Sequence, residues 1–302
     1  MSENSKKRPL VEWPTALLLL LCYGVWGLAT TGLVQLSLTT AVIVTGLAIA
    51  MFSSLQHEVL HGHPFRSAWI SEAAVFPALT IAVPYLRFRD SHLEHHRDER
   101  LTDPYDDPES NFLDPAVWQT TPLLTRLVLL FNNTLMGRLT IGVLVSQVVF
   151  MRADWCAIRA GNRQVLMGWI WHVPSLIVLG LWLGYMAQMP VWAYFISAYI
   201  GLSIVKIRTF LEHRAHDLAR ARTVLIEDRG PLAFLFLNNN LHVVHHTHPR
   251  MPWYALPKQF ADNKDHYLKR NDSYYYRSYW QVFRAYFFHA KDPIAHPLWP
   301  QD

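Results

Sequence analysis

The 302-residue chain is 51% hydrophobic and only 17% charged, and it carries 12 Trp and 16 His. That is too apolar and aromatic for an ordinary soluble domain, yet a mean hydropathy of +0.09 is too low for a chain held wholly in lipid, so a membrane anchor bearing a substantial polar portion is expected. The net charge of +4 comes from basic residues spread through the polar segments without a nucleic-acid motif, which argues against nucleic acid as a partner. Cys22 and Cys156 are far apart, so neither a disulfide framework nor a thiolate metal site is indicated.

The amino-terminal segment is basic, with Lys6, Lys7 and Arg8, and no small-residue cleavage site follows it. The apolar stretch after it therefore reads as a retained helix rather than a signal peptide. Stretches 15–34, 39–56, 165–187 and 191–205 are long and apolar enough to span a bilayer. No Lys or Arg occurs between Arg8 and Arg66, or between Arg163 and Lys206. The short connections 35–38 and 188–190 are therefore expected outside, with both termini and 57–163 on the cytoplasmic side.

Two more apolar stretches break the spanning pattern. Segment 68–86 contains Glu72, Pro77 and Pro84, and segment 123–150 contains Asn132, Asn133 and Arg138. Both read as interfacial or partly inserted helices. The tail 274–288 mixes Tyr, Trp and Phe with Arg277 and Arg284, which suits an amphipathic helix at the headgroup level. With no internal repeat and no long linker, 1–302 is expected to form a single domain: an all-α membrane protein of four spans, interfacial helices and a cytoplasmic histidine-rich cap.

Three histidine clusters carry the chemistry: His57-Glu-Val-Leu-His61, His92-Leu-Glu-His95-His96 and His242-Val-Val-His245-His246. Positions i, i+3 and i+4 share a helix face, so each cluster aims its imidazoles one way. One HxxxH pair is common by chance. Two HxxHH boxes and an HxxxH on one side of a membrane are not a packing pattern, and they point to a metal site. Eight imidazoles exceed the needs of one ion, which indicates two. Imidazole also suits zinc, copper and nickel, but the surplus of ligands beside lipid favours iron and oxygen chemistry.

Two rivals are set aside. His57-Glu58-x-x-His61 matches the HExxH of zinc hydrolases, which would leave two HxxHH boxes without a role. A transporter would place polar ligands within its spans, whereas only His172 falls inside one, where a structural hydrogen bond is expected.

The pattern HEVLHGH, then SHLEHH, then NNNLHVVHHTHP, interleaved with two membrane hairpins, resembles the membrane fatty acid desaturase superfamily over about residues 10–257. The resemblance implies four spans, a cytoplasmic di-iron cap and a substrate tunnel. It implies iron bound at His57, His61, His92, His95, His96, His242, His245 and His246, with two Fe2+ ions, O2 as co-substrate and an external reductant. Members often carry one more histidine after the fourth span. His213 and His216 are the candidates, and His213 is favoured because a continued helix would place it nearer the membrane.

Carboxylates beside the boxes are candidates to orient the ligands: Glu58, Glu94, Asp90, Asp98, Glu212 and the acidic run 101–110, which otherwise reads as a solvated loop of turns. Asn238, one turn before His242, is a candidate to hold a metal-bound water or to cap a helix. His63, His248, His266, His289 and His296 read as surface or turn residues. The expected reaction is O2-dependent desaturation of an alkyl or acyl chain, with hydroxylation, ketolation or desaturation of an amino-acid-like metabolite as alternatives. Electrons are expected from a separate ferredoxin, rubredoxin or cytochrome b5-type protein, and the expected location is a bacterial inner membrane.

Overall fold

A computed structural model describes residues 9–96 and 98–299, apart from the side chain of Asp98. Lys6, Lys7, Arg8 and the Asp98 carboxylate, all used in the sequence reading, lie outside the described residues. The first helices are α1 (Trp13–Leu36) and α2 (Leu38–Leu60), then α3 (Ala68–Ala74), α4 (Tyr85–His95), α5 (Pro115–Thr120), α6 (Leu123–Asn132), α7 (Leu135–Thr140) and α8 (Gly142–Arg159). Next come α9 (Arg163–Met186) and α10 (Val191–Thr209), then α11 (Pro231–Leu235), α12 (His242–Thr247), α13 (Leu256–Asp262), α14 (Lys264–Arg270) and α15 (Tyr279–Tyr286). Strands β1 (Leu225–Ile226) and β2 (Tyr275–Tyr276) pair in parallel. The protein is an all-α multi-pass membrane protein, with α1, α2, α9 and α10 long and apolar enough to cross a bilayer. The chain packs as two compact units, Met1–Tyr85 with Ile170–Gly201, and Leu86–Trp169 with Leu202–Asp302.

In the first unit, Ser37 breaks the chain between α1 and α2 and caps α2 by accepting from the Thr40 N–H at 3.2 Å. Helices α2 and α10 meet through glycines. A Cβ on Gly46 would fall 2.9 Å from the Ile200 Cγ2, and one on Gly201 would fall 2.6 Å from the Gly46 carbonyl oxygen. Small residues thus permit the close helix approach typical of membrane packing.

Segment 68–86 is not one inserted helix. Ala68–Ala74 is helical, and no helix resumes until α4 at Tyr85; Pro77 and Pro84 lack the donor that a helix interior needs. The turns that follow are buried at Val75, Ala78, Leu79 and Thr80. Buried irregular backbone requires partners for its polar groups, and side chains of all four spans supply them. The Tyr23 hydroxyl donates to the Ala74 carbonyl at 2.9 Å and the Gln56 amide to Val75 at 3.4 Å. The Tyr194 hydroxyl donates to Leu79 at 2.9 Å, and the His172 Nε2–H to Ile81 at 2.8 Å. His172 therefore makes the structural hydrogen bond expected of it.

In the second unit, α4 is fixed by a bidentate pair between half-buried Arg87 and buried Asp154. Arg87 donates to both carboxylate oxygens of Asp154 on α8, at 2.9 and 2.8 Å, and the Trp169 indole donates to the same group at 2.8 Å. Segment 123–150 is divided rather than continuous. Thr134 caps α7 by accepting from the Gly137 N–H at 3.0 Å. Gly137 has no substitute, because a Cβ there would lie 1.8 Å from the Phe131 carbonyl oxygen. Leu135, Ile207, Phe210, Leu211, Val224 and Phe236 form one buried apolar cluster, joined by Tyr279 and Val282 of α15. The tail is helical only over Tyr279–Tyr286, with β2 before it.

Candidate metal centre

Each box is placed by a local device. His57 and His61 lie buried in the last turn of α2 and at its cap, in the first unit, with ring centroids 4.9 Å apart. His92 and His95 occupy the last turn of α4, and His96 follows directly. His242, His245 and His246 lie on α12. His213 is not on a continued helix. Helix α10 stops at Thr209, and His213 sits in extended backbone bridged to Thr223.

Seven of these histidines meet inside the second unit. Ligand nitrogens of His95, His213, His242 and His246 lie within 4.8 Å of one another. The His213 Nε2 is 2.8 Å from that of His95 and 3.0 Å from that of His242. Beside them, the His96 Nε2 lies 3.0 Å from that of His92 and 3.1 Å from that of His245. The two sets adjoin, since the His96 and His246 rings stack at 4.3 Å.

The opposite edges of the rings decide what these contacts mean. The His95 Nδ1–H donates to Asp107 at 2.8 Å, the His92 Nδ1–H to Glu109 at 3.0 Å, and the His242 Nδ1–H to the Asn239 carbonyl oxygen at 3.2 Å. The Asn239 amide in turn donates to Glu212 at 3.0 Å, which fixes that carbonyl towards the ring. With Nδ1 carrying the proton, Nε2 presents a lone pair. The single proton available to His213 can satisfy only one of its two Nε2 neighbours, so the converging lone pairs outnumber the donors. A cation resolves this, and carboxylate or carbonyl support behind the ring is the arrangement metal-binding histidines use.

Electrostatics agree. Burial pushes His92, His96, His213 and His242 well below the usual histidine range, so these rings stay neutral, as ligands must be. At His95 burial also lowers the value, but Glu109 and Asp107 outweigh it and raise the ring to about 9. Those carboxylates favour positive charge at its Nε2, whether a proton or a metal ion brings it.

Of the supports read in the sequence, the acidic run and Glu212 lie behind the rings, while others are turned to different partners. Glu94 pairs with Arg100 at 3.2 Å, and Asp90 with Arg89 at 2.9 Å. Glu58 is buried within the first box. Asn238 does not share a face with His242: the helix starts at His242 itself, and Asn238 adopts a left-handed φ of 57° and donates to the Trp253 carbonyl at 3.0 Å. The acidic run 101–110 supplies Asp107 and Glu109 instead, while Asp103 closes local turns by accepting from the Tyr105 and Asp106 N–H groups at 2.8 and 2.9 Å. His216 lies apart from the cluster, with its Nε2 3.2 Å from Asp272. His63 and His296 are buried rather than superficial, His63 against Glu12. His248 bonds the Tyr267 hydroxyl at 3.0 Å, and His266 and His289 are exposed.

A comparison with curated proteins finds no match. The description "fatty acid desaturase" fits residues 33–280, which take in all three boxes and the spans α2, α9 and α10, with only the end of α1. A membrane chain with histidine clusters on this frame, matched over most of its length, belongs to the fatty acid desaturase family, whose members are oxidoreductases.

Proposed function

We propose that the chain is an O2-dependent di-iron oxidoreductase that introduces a double bond into an alkyl or acyl chain. The observation that carries this reading is the pair of adjoining imidazole sets whose Nδ1 edges are tied to Asp107, Glu109 and Asn239. The proposed ligands are His95, His213, His242 and His246 for one ion, and His92, His96 and His245 with His57 and His61 for the other. Glu58 stays proposed as a support within the first box, and Asp107, Glu109 and Asn239 take the place of Glu94 and Asn238.

Iron, once bound and reduced, supplies activation of O2 for C–H cleavage. The protein's own residues hold the ligand set. The Nδ1 acceptors fix each tautomer and ring angle, and burial of the cluster keeps bulk water from the reacting carbons. An apolar groove of about 600 Å³ within the first unit, lined by Tyr23, Trp26, Leu79, Leu181 and Trp182, suits an alkyl chain. Electrons come from a separate ferredoxin, rubredoxin or cytochrome b5-type protein. Residues 1–302 act as one catalytic domain in a bacterial inner membrane, with both termini cytoplasmic. The test is mass spectrometry of lipids and small metabolites from cells with and without the gene. A product two mass units lighter than its precursor is expected, and a product only sixteen units heavier would assign hydroxylation instead.

A further inference from the structure

Three of the converging rings are held from behind: His92, His95 and His242 donate from Nδ1 to Glu109, Asp107 and Asn239 in turn. His213 is not held in this way. Its Nε2 lies 2.8 Å from that of His95 and 3.0 Å from that of His242, yet its buried Nδ1 has no hydrogen-bond partner among the described residues. An acceptor behind the ring is what ordinarily fixes a metal-binding histidine. The aim of this ring therefore rests on its packing and on its backbone.

That backbone is gripped on both sides. His213 faces Thr223 across a short antiparallel bridge. The ladder bonds flank the pair, from the Val224 N–H to Glu212 at 3.0 Å and from the Arg214 N–H to Arg222 at 2.9 Å. In such a pair the residue's own carbonyl points away from the partner strand, and away from water it needs another donor. The Lys291 ammonium supplies it.

Lys291 follows α15, and its side chain is only 9% exposed. A buried ammonium is costly unless it is paired and hydrogen-bonded; here Asp292 pairs with it at 3.0 Å, and the His213 carbonyl accepts from it. The segment that carries Lys291 is itself tied down. The Asn133 amide donates to the Asp292 carbonyl at 2.5 Å, the Leu113 N–H to Ile294 at 2.8 Å, and the His296 N–H to Leu113 at 2.8 Å. The His296 Nε2 lies 3.3 Å from the Thr102 hydroxyl, and the Thr102 N–H donates to Asp107, the acceptor behind His95. Segment 291–296 thus reaches both His213 and the loop that holds its neighbour.

We infer that Lys291 is a positioning residue of the metal centre, whose ammonium holds the His213 carbonyl and so sets the aim of the His213 ring. This rests on the di-iron reading above and deepens it. A charge-assisted hydrogen bond to the main chain stands in for the acceptor that the Nδ1 edge lacks.

The test uses the full-length protein in detergent, stripped of metal and titrated without oxygen with Co(II), whose visible absorption reports its ligands. Imidazole sites take the first-row metals generally, so the native protein should bind about two Co(II) ions. Lys291→Met should weaken one of them by about 10- to 100-fold and shift its bands, and Lys291→Arg, which keeps a cationic donor, should recover part of both. His213→Ala should weaken the same ion, and Lys291→Met added to it should change nothing further, because the lysine acts through that residue. Native affinity and native bands in Lys291→Met overturn the proposal. So does a further full loss on top of His213→Ala, which would mark the lysine as a general support of the fold. Should Lys291→Met fail to fold, Lys291→Gln is measured in its place by the same criteria. Iron in the protein as isolated is counted separately: its absence would contradict the oxidoreductase reading, while the Co(II) titration still decides the role of Lys291.

Discussion

Removing the Asp107 carboxylate should loosen the metal centre more than removing any other acid of its loop. Asp107 is buried and accepts three hydrogen bonds: from the His95 Nδ1 at 2.8 Å, the Thr102 N–H at 2.8 Å and the Glu109 N–H at 2.9 Å. Asp107→Ala strips the acceptor from all three, and at about 1–3 kcal/mol for each buried donor left alone the loss is roughly 3 kcal/mol or more. The Glu109 N–H is among them, so the acceptor of His92 shifts as well. Loss of such support lowers metal affinity about 10- to 100-fold. Asp107→Asn keeps one acceptor oxygen and should fall between the two. Iron per chain and the thermal midpoint in detergent are measured for both variants, with Asp106→Ala as the exposed control. If Asp107→Ala binds full iron and melts with the native protein, the carboxylate does not hold the ligand and the reasoning fails.

His213→Ala should lose iron and turnover together while His216→Ala keeps its iron, because the His213 Nε2 lies among the ligands and His216 faces Asp272; iron counting on the two variants decides it. Arg87→Ala leaves the buried Asp154 carboxylate with only the Trp169 indole among the described residues, so a loss of about 3–5 kcal/mol is expected. A thermal midpoint within error of native would show that the pair does not fix α4. Reporter fusions after Ser37 and after Gln188 should read external and one after Asp114 cytoplasmic. An external signal at Asp114 would overturn the proposed orientation.

The spans and the three boxes were legible because each rests on a repeating signal: long apolar runs in one case, imidazoles at i, i+3 and i+4 in the other. Irregular segments were not, because one composition serves several backbones. Segment 68–86 reads equally as an apolar helix or a buried turn, and its conformation depends on distant partners such as Tyr194 and His172. In the acidic loop, Asp103, Asp106, Asp107 and Glu109 are alike in the sequence. The turn at Thr102, with φ 70°, goes with the side chain of Asp107 accepting the Thr102 N–H from inside. Asn238 and Asn239 are separated in role by a left-handed pair at Leu237 and Asn238, with φ 51° and 57°, which brings Asn239 against His242. The height argument for His213 assumed a helix that ends at Thr209, yet the residue reaches the cluster through the extended backbone that replaces it.

The central claim is that two ions are held by these histidines, and elemental analysis of protein purified without oxygen tests it most directly. The account predicts about two irons per chain in the native protein, in keeping with two adjoining ligand sets. One zinc per chain with no iron would contradict it.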